Sequence, residues 1–163
     1  MNDLVIRGAL IVDGSGSEPA TGDVAVLDGV ISAVGKHGLT GTQLVDGSGL
    51  VLAPGIVDIH THYDAQLTWD ASASPSPQMG VTTVVVGNCG FGLAPCHPDH
   101  RDLTLKNLTK VEGMPLDALL NGVLWEFETF TEYLDMLVAR GVVLKVAALA
   151  NHSCIRTYVM GID

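Results

Sequence analysis

Positive charge is scarce in this chain: 8 lysines and arginines stand against 18 aspartates and glutamates, for a formal net charge of −10. That balance excludes a nucleic acid or an anionic membrane held by general electrostatics. It also leaves any anionic small molecule to be held by a local cation, because the overall field repels it. Cysteine is equally sparse. Cys89, Cys96 and Cys154 are odd in number and widely spaced, which excludes a disulfide framework. No apolar run approaches the ~18 residues that suggest a membrane-spanning helix. The start, from Met1 to Gly8, lacks a basic stretch followed by an apolar core, so no secretory signal is read and a cytoplasmic location is expected. What remains is 47% hydrophobic and 16% charged, the composition of a folded globular chain.

Two regions differ in texture. Residues 1–54 carry short β-type runs at 4–6, 9–12, 23–27, 30–34, 43–45 and 50–52, punctuated by Asp13-Gly14, Asp28-Gly29 and Asp46-Gly47. Asp-Gly between β-runs signals a tight turn or hairpin, so a small antiparallel sheet is expected. Residues 55–163 alternate apolar strands with helical stretches. The strands are read at 56–59, 81–86 and 142–150, apolar enough to be parallel and covered on both faces. Helices are read at 101–111, 115–120 and 129–139. Pro115 starts the second, and Thr129 with Glu132 forms a capping box for the third. Pro75 and Pro77 leave room for only a short helix in the first crossover.

Chemistry gathers at the strand ends. The run Pro54-Gly55-Ile56-Val57-Asp58-Ile59-His60-Thr61-His62-Tyr63-Asp64 places two imidazoles two residues apart, on one face of a strand. Such a pair is placed to grip one metal ion, at about 2.0–2.1 Å for zinc. The second strand ends in Gly87-Asn88-Cys89-Gly90 and the third in Asn151-His152-Ser153. Right-handed crossovers bring these ends to a common rim. Asp64 is a candidate to hold the second ring nitrogen of a ligand histidine, or an ordinary turn carboxylate. His152 is read as a rim hydrogen bond, a substrate contact or a ligand. Arg156 is read as a clamp for a substrate carboxylate or the partner of a nearby acid. Cys96, His97 and His100 lack a repeated ligand pair and read as a polar loop, and Lys145 lies mid-strand, short of the rim.

The stretch from Val51 through His60, His62 and Asp64 to Gln66 resembles the first barrel strand of the amidohydrolase superfamily. Gly80-Val81-Thr82-Thr83-Val84-Val85-Val86-Gly87-Asn88-Cys89-Gly90 is similar to its N-acyl-D-amino-acid deacylase (D-aminoacylase) branch. The segment from Trp125 to Leu134, and His152 with Arg156, extend the resemblance over essentially the whole chain. It implies an α/β protein: the N-terminal portion of a composite β-sandwich (1–54), then the first three βα units of a metal-dependent (β/α)8 barrel (55–163). His60, His62 and Cys89 are its implied metal ligands, for one or two zinc ions, with Cys89 as a thiolate in place of a carboxylated lysine.

By that resemblance the activity is zinc-dependent hydrolysis of a non-peptide amide, with a small-molecule N-acyl-D-amino acid as substrate. Two alternatives stay open: a cyclic-amide hydrolase of hydantoinase or dihydroorotase type, and a non-catalytic zinc-binding or structural remnant. A complete barrel takes about 250 residues, and only about 110 follow Gly55. The chain is therefore expected to be an N-terminal piece of a longer enzyme. It would be inactive alone, its general base lying on a later strand and its catalytic acid–base unassigned. It is expected to associate with the rest of that enzyme or with itself, through apolar faces left uncovered.

Overall fold

β-Branched residues dominate the strands because their stiff side chains fit a pleated surface, and Val81-Thr82-Thr83-Val84-Val85-Val86 is the purest example. The structure, a computed structural model, describes residues 1–162. It divides into two units, Met1–Pro54 and Gly55–Asp163.

The first unit is a five-stranded sheet of β1 (Asn2–Ile11), β2 (Ala20–Leu27), β3 (Val30–Lys36), β4 (Gly41–Asp46) and β5 (Val51–Leu52). Asp28 and Gly29 both take positive φ, 51° and 73°, and close the β2–β3 hairpin as an Asp-Gly turn should. The sheet is mixed, not antiparallel as its turns suggested. β1 pairs antiparallel with β2 but parallel with both β4 and β5. Asp46-Gly47 therefore makes no hairpin. The Gly47 amide donates to the Arg7 carbonyl at 2.7 Å, so the chain steps along the same edge of β1 rather than turning back.

The second unit holds a parallel sheet in the order β6 (Ile56–Thr61), β7 (Val81–Val86), β8 (Lys145–Ala148). Four helices accompany it: α1 (Arg101–Glu112), α2 (Leu116–Gly122), α3 (Phe130–Arg140) and α4 (His152–Met160). The first crossover contains only two short 3-10 turns, Gln66–Thr68 and Ser76–Met79. α3 begins with the full capping box, Thr129 accepting from the Glu132 amide and Glu132 reaching back to the Thr129 amide. Leu105 and Leu108 of α1, Leu119 of α2 and Tyr133 and Leu137 of α3 join Val84 and Val86 of β7 in one buried cluster. Each buried aliphatic side chain there contributes about 1.5–3 kcal/mol.

Coverage is uneven. Ile56, Val57 and Ile59 of β6 are more than half exposed, contrary to the expectation of a strand covered on both faces. β6 is an edge of its sheet, and edge residues have neighbours on one side only. The third strand is also shorter than its apolar run, ending at Ala148. Asn151 then caps α4 by accepting from the Cys154 amide at 3.0 Å. Among the described residues no helix is long and apolar enough to cross a membrane.

Candidate metal centre

Thr61, Val86 and Ala148 are register partners across the three parallel strands. The strands thus end in line, and the loops that leave them start from one rim. His62 comes one residue after β6, and Cys89 three residues after β7. Asn88 donates to the Ile59 carbonyl at 2.8 Å, which fastens the loop after β7 onto β6. Gly87 makes that loop possible. Its φ is +79°, and a Cβ there would run into the Leu149 carbonyl, so only glycine fits between β7 and the end of β8.

The result is a cluster. Donor atoms of His60, His62 and Cys89 all lie within 4.8 Å of one another. The imidazole centroids are 5.3 Å apart and the rings tilted by 49°. Sγ of Cys89 is 3.8 Å from Nδ1 of His62. Two imidazoles and one thiol whose donor atoms lie within 4.8 Å of one another suit a tetrahedral ion with bonds of about 2.0–2.1 and 2.3 Å, leaving one position open. The pairing of β6 with β7 is irregular between Asp58 and Thr61, so strict alternation is not what aligns the histidines. A bulge next to a functional cluster is a recognised way to re-aim a side chain. No second cluster of three such donors occurs among the described residues. The Cys96 thiol lies against the Thr104 hydroxyl at 3.3 Å, and His97 accepts from the Asp99 amide.

Two carboxylates border the cluster. Asp64 is 4% exposed, and its Oδ2 has no hydrogen-bond partner. Its main-chain carbonyl accepts from the buried Tyr133 hydroxyl at 3.0 Å. Burial pushes the Asp64 carboxyl up to about 7, with the negative charge of Glu112 adding to the rise. The carboxylate that touches an imidazole is the one sequence reading passed over. Oε1 of Glu112, the last residue of α1, lies 3.0 Å from Nδ1 of His62. Burial raises the Glu112 carboxyl as well, while His62 opposes the rise. No spacing rule points to Glu112, because it reaches the rim from a helix 50 residues downstream of His62.

The remaining candidates stand apart. His152 is the exposed first residue of α4 and is not among the clustered donors. Arg156 is exposed one turn further along and forms no ion pair among the described residues. Lys145 is the exposed first residue of β8, at the opposite end of that strand from the rim.

Residues 43–161 match the amidohydrolase family. An N-acyl-D-aspartate deacylase of Alcaligenes xylosoxydans xylosoxydans is 37% identical over 159 residues, which make up 97% of this chain and 30% of that protein. A D-aminoacylase structure described with a binuclear metal centre superposes with a TM-score of 0.81 at 33% identity, covering 99% of this chain and 32% of its own. An N-acyl-D-glutamate deacylase from Bordetella bronchiseptica, solved with zinc and a phosphonate inhibitor, superposes at 0.71 with 32% identity, covering 98% and 31%. The mixed α/β structure matches part of D-aminoacylase, and the chain spans about a third of the length of the relatives it matches.

Proposed function

The chain belongs to the amidohydrolase family, and from that premise we propose that it carries the metal-holding strand ends of a zinc-dependent N-acyl-D-amino-acid deacylase. His60, His62 and Cys89 are the proposed ligands. The observation that carries this is the convergence of their donor atoms within 4.8 Å, from two strands joined by a long crossover. The named activities of the similar deacylases and the zinc bound in one of them support the same assignment. The three parallel strands are proposed as the first of a (β/α)8 barrel, whose active face lies at the carboxyl ends of its strands. The N-terminal sheet is proposed as part of a β-sandwich.

When bound, zinc supplies a Lewis acid that activates water and polarises an amide carbonyl. The remaining work belongs to the chain. β6 and the loops that leave β6 and β7 set the donors side by side, so little ordering is left to be done when an ion enters. Cys89 brings the charge of a thiolate, which suits a dication better than a third neutral ligand would. Arg156 is the proposed clamp for the substrate carboxylate, a planar fork on a chain otherwise rich in negative charge. No side chain among these 163 residues is assigned as general base. The chain alone is therefore expected to bind zinc without turning over substrate.

The test is hydrolysis of N-acetyl-D-amino acids, their L-enantiomers and cyclic amides by the protein that contains this chain. Turnover of the D-substrates that disappears in Cys89→Ala supports the assignment. Turnover confined to cyclic amides contradicts it, and metal-dependent turnover by the 163 residues alone contradicts the division of labour.

A further inference from the structure

Glu112 sits where a carboxylate is hardest to keep. It ends α1, where the helix dipole already presents partial negative charge. Gly113, with φ of +68°, stops the helix directly after it. Its side chain is only 2% exposed, and neither oxygen meets hydrogen-bond geometry with any group. Asp64, also buried, sets a second carboxyl beside the imidazole of His62, its Oδ2 likewise without a partner among the described residues. Among the described residues no lysine or arginine pairs with either. Buried carboxyl oxygens without hydrogen-bond partners are costly and call for an explanation beyond packing. Among the described residues the one ion-pair contact of Glu112 is with the half-exposed imidazole of His62, at 3.0 Å.

We propose that Glu112 is the positioning residue of the metal centre: its carboxylate accepts the Nδ1–H of His62 as a hydrogen bond and leaves Nε2 as the metal-binding nitrogen. The inference rests on the assignment of His62 as a ligand. A neutral imidazole has one N–H and one lone pair, so an acceptor on Nδ1 fixes which nitrogen faces the ion. The 3.0 Å contact falls short of hydrogen-bond alignment, and the proposed bond aligns through the terminal torsion of His62, which is soft. Metal-ligating histidines almost always have such a partner on the second nitrogen, and a carboxylate also raises the basicity of the ligating one. Glu112 stands outside the three-donor cluster, whose ligand atoms all lie within 4.8 Å of one another. α1 thereby becomes part of the site, reaching it from outside the sheet.

Glu112→Gln, which keeps the shape and removes the charge, tests this in the otherwise unaltered 163-residue chain by three readouts. Calorimetric zinc titration is expected to show about 10–100-fold weaker binding. Nitrogen NMR of the imidazoles is expected to report Nδ1–H on His62 in the zinc-loaded chain, and a mixture of tautomers in the metal-free variant. Thermal melting of the metal-free variant is expected to match that of the parent, because glutamine keeps the shape and neither oxygen of Glu112 has a hydrogen-bond partner to lose among the described residues. Zinc binding within twofold of the parent, or His62 metallated through Nδ1, overturns the inference and leaves the ligand assignment standing. A lower melting temperature with an unchanged tautomer also overturns it, marking Glu112 as structural. No zinc binding by the parent chain overturns both.

Discussion

Sγ of Cys89 lies 3.8 Å from Nδ1 of His62, although 27 residues separate them in sequence. The first crossover and the whole of β7 intervene, so the contact comes from the parallel pairing of β6 with β7 and not from local spacing. Replacing Cys89 by alanine is expected to weaken zinc binding by more than the ~10–100-fold typical of losing an outer partner. His60→Ala and His62→Ala should do the same. Calorimetry on the four proteins checks this, and equal affinities for parent and Cys89→Ala would refute it.

The three cysteines should differ in reactivity. Cys96 and Cys154 are 3% and 5% exposed, while Cys89 is only half-buried. Iodoacetamide on the native chain is expected to modify Cys89 first, and zinc to protect it. Peptide mass spectrometry reads the order, and early modification of Cys96 or Cys154 would contradict it.

Burial pushes the Cys154 thiol up to about 12, whereas an unfolded cysteine titrates near about 8.5. Between those values the unfolded chain loses a proton that the folded chain keeps. Stability therefore falls as pH rises through that window, by an amount of order 5 kcal/mol at its top. Cys154→Ala should flatten the dependence. Urea melts at neutral and at alkaline pH measure it, and an unchanged slope in the variant would count against a buried, protonated thiol.

Gly87→Ala forces a Cβ onto a residue with φ of +79° and against the Leu149 carbonyl. A loss of about 2 kcal/mol or more is expected, along with weaker zinc binding because Cys89 hangs from the same loop. Thr129→Ala removes half of the α3 capping box and should cost about 1 kcal/mol, with zinc affinity untouched. Denaturant melts paired with zinc titration separate the two effects.

Local chemistry explains what was legible in the sequence. Thr129 and Glu132 cap α3 through bonds three residues apart, and Asp28-Gly29 turns a hairpin by its own backbone preference. Both need nothing from the rest of the fold. His60, His62 and Cys89 were readable because donors at strand ends converge once the strands are parallel. The mixed N-terminal sheet was not readable. Asp46-Gly47 looks like a hairpin, yet β5 continues along the edge of β1 that β4 occupies, a choice made by long-range pairing. α4 was hidden behind the apolar run that precedes it, and its only local signal was Asn151 as a cap. Apolarity in 56–59 promised burial, but an edge strand leaves Ile56, Val57 and Ile59 exposed. Glu112 left no mark at all, since a glutamate before a glycine at a helix end is ordinary until the tertiary fold sets it beside His62.

X-ray absorption at the zinc edge of the zinc-loaded chain addresses the centre itself. One sulfur at about 2.3 Å with two imidazole nitrogens at about 2.0–2.1 Å is the expected shell. A shell of oxygen and nitrogen alone, without sulfur, would contradict the assignment of Cys89 and with it the three-donor site.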